Sequence, residues 1–122
     1  MEEHIVFNSE DVSKNKVYGI LAYFGILFIV PLFAAKDSQY AKFHANQGLV
    51  LFIAEIALNI IGSILIVVCG IATLGLLTNI IVKVVRAVIS LVSLVYLVLG
   101  IVNACSGEPK KLPVIGEITL IR

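Results

Sequence analysis

Hydrophobic residues in this chain run in three long blocks. Polar residues are confined to the gaps and to a few marked positions inside the blocks. Residues 17–35 form a first block without a charge, and residues 47–69 and 79–105 form the second and third. Each approaches or exceeds the ~20 apolar residues that a helix needs to cross the hydrocarbon core of a bilayer. Pro31 falls in the last turns of the first block, where a membrane helix tolerates a proline and often kinks. Residues 70–77, with Gly70, Thr73 and Gly75, form the turn between the second and third blocks. Residues 36–46 join the first and second. Lys36, Asp37 and Lys42 place this connector in water or at the headgroups, and Tyr40 and Phe43 suit the interface. Nothing from Ser38 onward breaks a helix, and Asp37 or Ser38 is a fitting cap. The pattern predicts a tight turn, then a helix that starts at the interface and runs into the membrane.

The ends differ from the blocks. Residues 1–16 are polar and mixed in charge, which predicts a mobile tail, with Ser13 or Asn15 capping the following helix. Residues 106–122 stay apolar, but Pro109 and Pro113 exclude a continuous helix. An extended or hairpin-like tail is expected, lying on the membrane surface or against the protein. The fold class that follows is an all-α membrane protein. It is a three-helix transmembrane bundle over residues 17–105, with an interfacial connector helix and a short extended C-terminal tail.

Composition supports the bilayer as partner. Of 122 residues, 60% are hydrophobic and 14% charged, whereas soluble domains carry about a quarter charged residues. The net charge of +1 is spread without a dense basic cluster, which excludes nucleic acid as a partner. Glu2, Glu3, Glu10 and Asp11 precede the first block and no small-residue cleavage site follows it. It therefore reads as a retained helix and not a signal peptide. With three spans, the connector and the C-terminus share a side that carries Lys36, Lys42, Lys110, Lys111 and Arg122. The positive-inside rule makes that side cytoplasmic and the N-terminus external, in a multi-pass protein of the cell membrane. Cys69 and Cys105 fall near the ends of successive antiparallel helices, too far apart for a disulfide.

Two stripes mark contact faces. At about 100° per residue, His44, Gly48, Leu51, Glu55, Asn59 and Gly62 share a sector of the second helix. Glu55 is the costliest of them, since an acid inside the membrane is worth about 2.5–3.5 kcal/mol against insertion. It is expected to face a partner, a wet cavity or the bundle interior. Lys83, Arg86, Ser90, Ser93, Leu97, Gly100 and Ala104 alternate three and four apart, the spacing of an antiparallel seam. His44, with Gln47 at i+3, makes a polar entrance to the second helix. The candidate helix-contact or polar-path residues are therefore His44, Gln47, Gly48, Glu55, Asn59, Arg86, Ser90 and Ser93. The only other histidine is His4, so no metal set is formed. No nucleophile and base, phosphate loop or carboxylate pair is present, and no cofactor is expected.

At FHANQGLVLFI and again at NACSGEPKKLPVIGEI the chain resembles small bacterial membrane proteins related to the twenty-kilodalton inner-envelope component of the chloroplast protein-import translocon, the Tic complex. Phe43, His44, Ala45, Asn46, Gln47, Gly48 and Leu49 match the segment that opens a membrane helix in that family. Gly107, Leu112, Pro113, Val114, Ile115 and Gly116 match its tail, with Glu108 where the family has a basic residue. The plant proteins have a four-helix arrangement, of which this chain lacks the first helix. The resemblance implies an all-helical membrane protein linked to protein translocation. The expected function is a non-catalytic accessory or assembly subunit, not an enzyme. It works through contacts with a membrane-protein partner or a second copy of itself. The alternative is an oligomeric transport or channel element with a polar path around Glu55.

Overall fold

The computed structural model describes residues 7–107 and 109–120. Residues 1–6 of the expected tail, Glu108 and residues 121–122 lie outside the described residues. All regular structure among the described residues is helical. Helix α1 spans Ser9–Leu21, a 3-10 turn follows at Gly25–Phe28, and α2 spans Ile29–Ala34. Helix α3 spans Gln39–Ala72 and α4 spans Thr78–Ser106. The chain divides into two compact units. One holds the residues up to Phe52 and those from Tyr96 onward, and the other is Ile53–Val95.

The expected first span is not one helix. Helix α1 begins inside the polar stretch, where the Asn8 side chain accepts from the Glu10 N–H at 2.8 Å. The cap is therefore Asn8, and neither Ser13 nor Asn15 fills that place. The helix stops at Leu21, and Gly25 adopts a left-handed φ of 58° that its lack of a Cβ permits. The break is set by close packing. Ala22 is fully buried, and a Cβ on Gly48 would overlap the Ala22 carbonyl. A straight apolar helix through residue 22 would lose this backbone-to-backbone seat.

Among the described residues two helices, and not the expected three, are long and apolar enough to cross a membrane. At 1.5 Å per residue the 34 residues of α3 extend ~51 Å and the 29 of α4 ~44 Å, against a hydrocarbon thickness of ~30 Å. Only 17% of the most apolar window of α3 and 6% of that of α4 is buried. Core helices of a soluble protein would be covered by protein, so lipid is the solvent these side chains fit. The expected connector helix and second span are a single helix. Its start is capped by Ser38, whose Oγ accepts from the Ala41 N–H at 2.9 Å. Helix α3 also runs past Gly70 before the turn. Thr73 Oγ1 donates to the Cys69 carbonyl at 2.9 Å, and Leu74 and Gly75 turn the chain with positive φ.

In the unit of Ile53–Val95, α3 meets α4 through Gly62. A Cβ there would stand 2.8 Å from Ile89 Cδ1 and 3.1 Å from Val85 Cγ1. Lys83, Arg86 and Ser90 of the expected seam are exposed instead. The observed contact is displaced by one residue, onto the aliphatic side chains.

Candidate functional site

The polar residues converge in the other unit, around the first turns of α3. Asp11 reaches from α1 to the start of α3, where its carboxylate accepts from the Ser38 hydroxyl and from the Tyr40 N–H, the latter at 3.1 Å. Asn15 Nδ2 donates to the same carboxylate at 2.8 Å. Burial on its own would raise the Asp11 carboxyl, but the bonds from Ser38, Tyr40 and Asn15 outweigh it and hold the pKa below its ordinary value. A negative charge at this helix start is also favoured by the helix dipole.

One turn later His44 sits fully buried. Its Nδ1 lies 2.5 Å from the Tyr23 hydroxyl. With the phenol as donor, the imidazole is neutral and carries its proton on Nε2, which has no hydrogen-bond partner. Four rings enclose it: Tyr40 at 4.9 Å between centroids, Phe43 at 5.1 Å, Tyr23 at 5.6 Å and Phe7 at 6.2 Å. Tyr40 in turn donates to the Ala104 carbonyl of α4 at 2.6 Å. Gly19 and Gly100 give the tyrosines room, since a Cβ on either would enter the ring of Tyr40 or Tyr23. His44 thus fastens the segment after α1 to α3, and its ring partner Tyr40 fastens α3 to α4.

Asn46 and Gln47 form the third part. Gln47 Oε1 accepts from the Leu112 N–H at 2.8 Å, and its Nε2 donates to the Gly116 carbonyl at 3.0 Å. Asn46 Oδ1 accepts from the Leu120 N–H at 2.6 Å, and its Nδ2 donates to the Ile118 carbonyl at 3.1 Å. Two adjacent side-chain amides therefore bind four backbone groups of the C-terminal segment. From α4, Tyr96 donates to the Pro113 carbonyl at 2.8 Å and Asn103 to that of Lys110 at 3.4 Å. Leu112, 2% exposed, is the buried side chain of this clasp.

Of the residues singled out from sequence, His44, Gln47 and Gly48 thus meet in one unit. Glu55, Asn59, Arg86, Ser90 and Ser93 lie in the other. There Asn59 donates to the Glu55 carbonyl at 2.8 Å and Ser63 to that of Asn59 at 2.9 Å, each back onto its own helix. Asn59, Arg86 and Ser90 are exposed, and Glu55 and Ser93 half-buried. The sequence pattern does not mark Asp11, Tyr23 or Tyr96, and it holds Asn103 only within the second stretch that carries the family resemblance. Asn46 entered only through the family motif, although two amides in a row at the head of an apolar helix are a readable sign of bonds made outside it. Cys69 and Cys105 are free thiols. Among the described residues no three His, Cys, Asp or Glu side chains form a metal-binding group. What this arrangement can do is hold chain segments together. Its one imidazole is sealed from solvent.

Comparison with known proteins replaces the translocon resemblance. The chain is 40% identical over 55 residues to the magnetosome protein MamF of Paramagnetospirillum magneticum, covering 43% of this chain and 50% of that one. It is 39% identical over 59 residues to MamF of Magnetospirillum gryphiswaldense, covering 46% and 53%. The chain spans about half the length of the curated relatives it matches. No solved structure matches. A family model for magnetosome magnetite crystal formation proteins, and not one for import translocons, covers residues 14–120. The short segments at Phe43 and Leu112 that suggested the Tic complex lie within that match, and the relatives found are magnetosome proteins. The chain belongs to the MamF/MmsF family, the magnetosome magnetite crystal formation protein family.

Proposed function

We infer that this protein is a non-catalytic membrane accessory of magnetite crystal formation, held in the magnetosome membrane by α3 and α4 and acting through contacts. The family match over residues 14–120 carries this reading. The geometry supports it, because the polar side chains of the candidate site bind other parts of the same chain. A transport element around Glu55 finds less support, since Asn59 and Ser63 bond back to their own helix. The test is fractionation. A tagged copy expressed in Magnetospirillum gryphiswaldense is expected to co-purify with magnetically collected magnetosomes. Recovery only with the remaining cell membranes would overturn the reading.

Two crossings also change the orientation. The segments before α3 and after α4 then share a side. Of nine Lys and Arg residues, only Lys83 and Arg86 lie between Gln47 and Tyr96. The other seven support an orientation with both ends and the connector on the cytoplasmic side.

A further inference from the structure

We propose that residues 109–120 form a re-entrant strap seated in the membrane interface, with the tip at Pro113 and Val114 in contact with lipid acyl chains. The proposal rests on the reading of α4 as a membrane-crossing helix. The first observation is direction. The Lys110 carbonyl is held by Asn103 and the Pro113 carbonyl by Tyr96. Those two residues lie seven positions apart on α4, which is ~10 Å along the axis. The strap therefore turns back along α4 from its end toward its apolar middle.

The second observation is how the strap satisfies its backbone. Irregular chain is tolerated at membrane depth only where protein takes up its polar groups. Here the N–H groups of Leu112 and Leu120 go to Gln47 and Asn46, and the carbonyls of Gly116 and Ile118 to the same two side chains. Gly116 N–H closes on the Leu112 carbonyl at 3.0 Å, Ile115 N–H on that of Pro113 at 2.8 Å, and Ile118 N–H on that of Ile115 at 3.2 Å. Pro109 and Pro113 have no N–H to satisfy. Six bonds from Asn46, Gln47, Tyr96 and Asn103 thus hold the backbone of the strap.

The third observation is what faces outward. Val114 is 91% exposed and Ile118 and Leu120 are about half exposed, beside the exposed Pro113, Glu117 and Thr119. Val114 also has a left-handed φ of 69°, a conformation strongly disfavoured for a β-branched residue and readily supplied by Gly or Asn. A valine at an exposed left-handed tip suits acyl chains and does not suit water. Lys111 Nζ pairs with the Glu117 carboxylate at 3.1 Å, so the acid of the strap is met by a base of the strap.

The chain has no tryptophan, so one introduced by Val114→Trp reports alone. The full chain carrying Val114→Trp is reconstituted in phosphatidylcholine–phosphatidylglycerol bilayers with brominated acyl chains. Leu91→Trp, on an exposed position of α4, serves as the control for the span. The expected result is bromine quenching of both variants and protection of Val114→Trp from aqueous acrylamide. Quenching of Leu91→Trp alone, with Val114→Trp open to acrylamide, overturns the strap. Protection of Val114→Trp from both quenchers means that protein covers the tip and also overturns it. An unquenched Leu91→Trp removes the membrane reading and the strap with it. The unaltered chain gives a second measurement that no folding defect can confuse. A diazirine carried on lipid acyl chains should label the peptide containing Val114, and its absence from that peptide counts against the proposal.

Discussion

Asp11 shows how one side chain decides where a helix begins. It lies 27 residues before Ser38, yet its carboxylate joins the Ser38 hydroxyl and the Tyr40 N–H in closing the open end of α3. Replacing a capping carboxylate costs about 1 kcal/mol, within a range of roughly 0.5–2, so Asp11→Ala should lower thermal stability in mild detergent by about that amount. The pH dependence has a definite sign. The pKa of Asp11 is lowered in the folded chain from an ordinary value of 3.8. Its contribution is then complete above 3.8 and is lost as pH falls through the folded value. Unfolding followed by circular dichroism should show the gap between the unaltered chain and Asp11→Ala narrowing below pH 3.8. A gap that widens on acidification would contradict the assignment. Ser38 as a cap was legible, because a hydroxyl residue stands before an uninterrupted helical run. The partnership with Asp11 was not, since no local pattern links residues 27 apart.

At the scale of the element, hydropathy located α3 and α4 but could not separate a span from a folded apolar segment. Residues 17–35 have the composition of a crossing helix. What divides them is the contact of Ala22 with Gly48, together with the left-handed Gly25. Both are events of backbone packing that composition does not record. The first half of the expected α4 seam is displaced for a related reason, whereas Leu97, Gly100 and Ala104 of its second half are packed. Counting small and hydroxyl residues favoured Arg86 and Ser90, because such residues permit close approach. In the structure the small residue is supplied by α3, as Gly62, and α4 answers with Val85 and Ile89. The two seams predict different outcomes. Gly62→Val should destabilise the unit of Ile53–Val95 by about 1–3 kcal/mol through overpacking. Ser90→Ala, at an exposed position, should change stability by less than about 0.5 kcal/mol. Thermal unfolding in detergent micelles distinguishes them, and a Ser90→Ala defect as large as that of Gly62→Val would restore the seam expected from spacing.

For the whole molecule the consequential number is how many times the chain crosses the bilayer. Three crossings separate the N-terminus from the C-terminus, and two bring them to one side. The bonding pattern favours two. Phe7, from the N-terminal segment, packs edge-on against Tyr40 with centroids 5.6 Å apart, and Tyr40 bonds to Ala104 near the end of α4. Segments before α1, at the start of α3 and at the end of α4 therefore meet within one unit. An apolar first block that crossed the membrane would have to carry the N-terminus about 30 Å away from those partners. The charge distribution agrees, because seven of the nine basic residues fall outside the stretch between Gln47 and Tyr96. A reporter that is active only outside the cytoplasm should therefore be silent when fused to either terminus and active when inserted at Gly75 in the α3–α4 turn. A reporter that requires the cytoplasm should give the reverse. Opposite signals at the two termini would reinstate the third crossing. They would also require the bonds that now join Phe7, Tyr40 and Ala104 to be absent from the membrane-bound protein.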